Sequence, residues 1–185
     1  MDPQLELEEE RLDMPTAANS KETEVGLELV NTIDLSMVKM KLMDKDEGVG
    51  WDEEFAAFAE IRYRRYLCLQ ILYPKQSIVP TKDIDTFWHQ HILDTRAYAK
   101  DCQKLFGQFL HHYPYFGMRD EQDAQDLLDS FEESKILYLK HFNEQLSTSY
   151  SSADSSTCHK GTSTCHKCAD NPSGCKDTIS CTRCH

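Results

Sequence analysis

The sequence predicts an all-α fold, a compact bundle of about four to five helices, on three observations. Apolar residues between positions 26 and 146 recur at three- and four-residue spacing, with little alternation. Start and stop signals for helices fall at the ends of those stretches. The flanking segments hold too few large apolar residues to fold by burial.

Residues 1–25 are acidic and aperiodic, and they read as a disordered segment. A first helix is expected over Leu35 to Met43, with Asp34 or Ser36 as its cap and the DKDEGVG run as its end. A second runs from about Asp52 to Tyr73. Asp52 suits the N-cap, Glu53 and Glu54 suit the first turn, and Pro74 forbids continuation. Its Arg62, Arg64 and Arg65 read as a solvated or ion-paired face rather than a binding patch. A third helix is expected to start at Thr81, after Pro80, and to continue unbroken to Phe106, where Gly107 stops it. A linker with Pro114 and Gly117 leads to a last helix from near Asp120 to about Leu146. The helical domain is thus placed at 26–146. Residues 147–157 contain eight Ser or Thr and read as a linker, and 158–185 form a Cys/His-rich tail.

Charge and hydropathy limit the function. The chain has 32 acidic and 20 basic residues, a net charge of −12. Nucleic acids and anionic membrane surfaces attract basic proteins, so neither is expected as a partner. No apolar run approaches the ~20 residues that span a bilayer, and the N-terminus MDPQLELEEERLDM lacks the apolar core of a signal peptide. The expected compartment is the cytoplasm, where thiols stay reduced.

The third helix carries an unusual face. At about 100° per residue, Ile84, Ile92, Thr95, Ala99, Cys102 and Phe106 fall within about 40° of Trp88. His91 and Tyr98 flank this stripe on one side and Asp85 on the other, with His89 at its edge. Polar groups on a buried face need partners. One reading has His91, with Asp85, His89 or the His111–His112 pair, holding a metal or small ligand. The other has these side chains cross-linking helices by hydrogen bonds. On one continuous helix His91 and Cys102 would be roughly 16 Å apart, so a site needs histidines from elsewhere.

The run DIDTFWHQHILDTRAYAKDCQKLFGQFLHHYP, residues 83–114, resembles the signature of the glycine-rich domain-containing protein-like family. The matching positions are Trp88, His89, His91, Tyr98, Asp101, Cys102 and Gly107. The resemblance extends over about residues 30–146, and the chain's small size looks like that of a bacterial-type member. It implies an all-helical domain and supplies no activity. No RNA role carries over, because the chain lacks the family's RNA-binding and glycine-rich additions.

The densest chemistry lies in the tail, TCHKGTSTCHKCADNPSGCKDTISCTRCH, which holds six of the eight cysteines. Cys165-x-x-Cys168 and Cys181-x-x-Cys184 can present four thiolates to Zn²⁺, and a thiolate-rich segment also suits Cu(I). Cys158, Cys175, His159, His166 and His185 are spare or second-site ligands. Cys181-Thr-Arg-Cys184-His185 matches a haem-attachment pattern, but that chemistry normally follows export. No βαβ context supports a redox pair.

The expected function is therefore a non-catalytic helical binding or docking domain with a Zn²⁺- or Cu(I)-binding tail and a protein partner. A first alternative is a precursor-like substrate whose cysteines are altered by a cysteine-modifying enzyme. A second is a metal-dependent enzyme using the helical-domain histidines, centred on His91 and His112 with Asp85 as base. No phosphate loop, nucleophile elbow or His-Glu-x-x-His motif is present.

Overall fold

The computed structural model describes residues 17–147, with side chains from residue 20 onward. Contacts divide the chain into Met1–Ser149 and Tyr150–His185, and every described residue belongs to the first unit. Six helices and no strand occur among the described residues: α1 (Ala17–Val30), α2 (Ser36–Met43), α3 (Glu53–Leu72), α4 (Lys82–Leu93), α5 (Thr95–Phe106) and α6 (Glu121–Phe142).

α3 is the centre. Asp52 caps it by accepting from Phe55 N at 2.7 Å, and Pro74 follows its end. α1, α2, α4 and α6 pack around it, and α5 packs on α4. The core is rich in aromatic rings: Tyr63, Tyr66, Phe87, Trp88, Tyr98 and Tyr138 are buried with Leu35, Leu42, Leu67 and Leu69. Each such side chain stabilises the fold by about 1.5–3 kcal/mol on burial.

The three arginines of α3 are structural ties. Arg62 is buried, pairs with Asp83 at 2.9 Å, and donates to Thr81 Oγ1 and the Ser147 carbonyl. Arg64 holds Glu60 and donates to the Val30 and Ile33 carbonyls. Arg65 reaches Tyr138 Oη and Glu144. Each therefore links α3 to a different neighbour.

Two elements depart from the sequence expectation. α1 occupies part of the segment expected to be disordered. It packs Thr23, Gly26, Leu27 and Val30 inward, an i, i+3, i+4, i+7 face in which two members are polar or small. The expected third helix is two helices. At Asp94 the backbone leaves helical geometry (ψ 72°), and its carboxylate accepts from Ala97 N at 3.2 Å as the N-cap of α5. Two smaller details also differ. The α2 N-cap is Leu35, with Asp34 accepting from Ser36 N, and α6 ends at Phe142 because Asn143 takes the left-handed conformation (φ 51°).

Asp123 orders the loop before α6. Its buried carboxylate accepts from Gly117 N, Arg119 N and the Arg119 guanidinium. The Arg119 guanidinium beside it holds that carboxyl down at about 2.

Candidate functional site

One helix face and one returning loop build the site. Asp85 and His89 stand four residues apart on α4 and project from the same side. After α5 stops at Gly107, in the left-handed conformation (φ 68°), the chain runs back past α4 and delivers His112. His112 Nε2 lies 3.0 Å from Asp85 Oδ1 and 3.1 Å from His89 Nε2. His89 Nε2 lies 3.5 Å from the same Asp85 oxygen.

These separations have a chemical meaning. Donors about 2.0–2.1 Å from a metal lie roughly 3.3–3.4 Å apart in a tetrahedron, and roughly 2.9–3.0 Å apart at cis octahedral positions. The three observed spacings fall close to that interval. Among the described residues, this is the group whose histidine and carboxylate donor atoms converge.

Two contacts hold His112 in place. Its ring meets Trp88 edge-on, with centroids 4.6 Å apart. Trp88 Nε1 donates to the Tyr98 hydroxyl at 2.8 Å, and that hydroxyl donates to the Leu110 carbonyl at 2.6 Å. The chain is thereby fixed two residues before His112. Burial pushes the Tyr98 phenol well above its ordinary value, so the hydroxyl keeps its proton and keeps donating.

Asp85 and His112 stand in the wall of a cleft of about 600 Å³. Tyr66, Ile78, Trp88, Leu110, Phe116 and Leu127 give it an apolar surface. Lys82, His111 and Arg119 add polar groups. His89 is exposed on the outer side of the cluster.

His91 lies elsewhere. The break at Asp94 folds α5 back, so Asp101 comes within 3.2 Å of His91 Nε2. An ionised carboxylate only accepts, so Nε2 carries the proton and Nδ1 accepts from the Tyr63 hydroxyl at 2.9 Å. Both ring nitrogens are used and the side chain is buried, which leaves no donor for a metal. Burial lowers the His91 pKa below the usual histidine value and outweighs the opposing pull of Asp101.

The structure therefore gathers Asp85, His89, His112 and Trp88, and supports them through Tyr98. It does not bring in His91, Cys102 or His111. Cys102 is buried in the core, and His111 lies against the Phe109 ring at 4.9 Å. The tail residues Cys158, His159, Cys165, His166, Cys168, Cys175, Cys181, Cys184 and His185 lie outside the described residues. The pairing of Asp101 with His91 is absent from the sequence expectation, and the cap signal at Asp94 is the feature that could have revealed it.

Fold and site together define a class: an all-helical domain with a two-histidine, one-carboxylate cluster at the edge of a cleft. The chain belongs to the UCP032817-like family, whose model matches residues 29–158. This match corrects the expected resemblance to the glycine-rich domain-containing protein-like family. The motif behind that resemblance is a short stretch whose Trp88 and His91 are dictated by core packing, whereas the family match spans α2 to α6. Comparison with curated proteins and with solved structures returns no match. Among the described residues no helix is long and apolar enough to cross a membrane.

Proposed function

We propose that the helical domain binds one divalent transition metal ion through Asp85 Oδ1, His89 Nε2 and His112 Nε2, and acts as a metal-dependent enzyme on a small molecule. The convergence of these three donor atoms at 3.0–3.5 Å carries the reading. Three protein ligands leave a coordination position for water or substrate, as in catalytic zinc sites, and a two-histidine, one-carboxylate set also suits Fe²⁺. A metal so held polarises a bound oxygen or makes bound water acidic. The adjoining cleft supplies a place for the substrate.

A second reading keeps the tail as a separate thiolate site for Zn²⁺ or Cu(I), on the spacing of Cys165, Cys168, Cys181 and Cys184. Elemental mass spectrometry on anaerobically purified full-length protein separates the two. A full-length variant with the six tail cysteines changed to Ser should keep about one metal per chain. Adding His89→Ala or His112→Ala should then weaken binding by more than about 100-fold, since loss of an outer-shell partner alone costs 10–100-fold. Metal lost with the tail thiols and unaffected by the histidine changes would place the chemistry in the tail. Intact mass on the same samples tests whether the tail cysteines are enzymatically modified.

A further inference from the structure

We propose that the cleft beside Asp85 and His112 is the subsite for a small, flat, aromatic carboxylate whose acid group ligates the metal. The inference rests on the metal reading above and extends it to the chemistry of the ligand.

Three observations favour this ligand over other small molecules. The first is shape. The cleft volume of about 600 Å³ lies within the range of small-molecule sites, far above what one water or one acetate fills. The second is the wall. Tyr66 and Trp88 line it with their ring centroids 5.2 Å apart, and Phe116 and Leu127 are among the apolar lining, so a ring finds aromatic and aliphatic partners.

The third is charge. A divalent ion held by the Asp85 carboxylate and two neutral imidazoles leaves the centre with a net positive charge. Lys82, one turn before Asp85 on α4, lines the same cleft, and among the described residues its ammonium makes no ion pair. The chain as a whole carries −12, so this cationic pocket is a local exception. A carboxylate at the open coordination position is drawn by both the ion and Lys82, while its ring lies along Tyr66 and Trp88.

The test uses the full-length chain with the six tail cysteines changed to Ser, loaded with Co²⁺. Cobalt reports its own coordination through visible absorption bands. The protein is titrated with 2-naphthoate and, separately, with acetate. Naphthoate is expected to change the cobalt bands and to bind at least about tenfold more tightly than acetate, because only it buries a ring. Lys82→Ala is expected to weaken naphthoate about threefold. Cobalt bands that ignore naphthoate, or that respond to both acids at equal concentration, would overturn the subsite while leaving the metal centre standing. Absence of any protein-bound cobalt spectrum would overturn the metal centre itself, and the subsite with it.

Discussion

Tyr98 shows how much of the candidate site depends on one hydroxyl. It accepts from Trp88 and donates to the Leu110 carbonyl, so it joins α4 to the loop that brings His112. Tyr98→Phe leaves a buried indole N–H and a carbonyl without their partner, which should cost about 1–3 kcal/mol in a urea denaturation series. It should also weaken Co²⁺ binding about tenfold, since a support one step from a ligand has been removed. Unchanged Co²⁺ affinity would show that the loop holds its position without that hydroxyl. The same scale explains what is legible in the sequence. Asp85 and His89 stand at i and i+4, a spacing that the residue order alone displays. The mate for this pair comes from residue 112, and no helical wheel can place a residue delivered by a loop. His91 invites attention because its ring belongs to the same apolar stripe as Trp88. Its partner Asp101 stays hidden for as long as the helix is taken to be continuous. The buried Cys68 thiol is pushed up to about 12 by burial, which marks it as an inert packing residue.

α2, α3 and α6 are readable from the sequence because apolar period and stop signal agree in each. α4 and α5 merge in the pattern because their apolar positions stay nearly in phase across Asp94, so periodicity carries no trace of the break. α1 escapes the pattern because its inward face includes Thr23 and Gly26 in place of large apolar residues. Gly26 is there for contact: a Cβ at that position would lie 2.8 Å from Cys68 Sγ. Gly26→Ala should therefore destabilise the protein by about 1–3 kcal/mol despite the better helix propensity of Ala. Combined with Cys68→Ala, the loss should shrink, and calorimetry of the two single variants and the double variant measures the coupling. Additive effects would mean that α1 and α3 do not meet through this pair. At the next junction, Arg62 and Asp83 join α3 to α4 in a buried ion pair. Asp83→Asn should cost about 3–5 kcal/mol by leaving a buried guanidinium without its counter-charge. Replacing both partners with apolar residues should cost much less, and equal costs would argue against charge as the cause.

Across the whole molecule, α1 and α6 are tied to the end of α3 through one side chain. His141 Nδ1 meets Thr23 Oγ1 at 2.6 Å, and its Nε2 meets the Tyr73 hydroxyl at 2.7 Å. Burial lowers the His141 pKa from the ordinary 6.5, with Lys140 adding to the shift and Glu22 opposing it. The folded state therefore binds fewer protons than the unfolded chain just below that value. The stability this group contributes is complete above about pH 6.5 and declines as pH falls toward the lowered native value. Denaturation midpoints should drop between pH 7.5 and 5.5, and His141→Gln should flatten that dependence. An unaltered slope in the variant would assign the titration to other groups. The placement of Trp88 has an experimental consequence as well. The chain contains two tryptophans, and the ring of this one lies 4.6 Å from His112, while Trp51 packs against Phe55. In a Trp51→Phe background, intrinsic tryptophan fluorescence comes from the wall of the site alone. An open-shell ion such as Co²⁺ or Cu²⁺ at His112 would quench that emission, whereas filled-shell Zn²⁺ would leave most of it, so the protein carries its own optical gauge of which metal it holds.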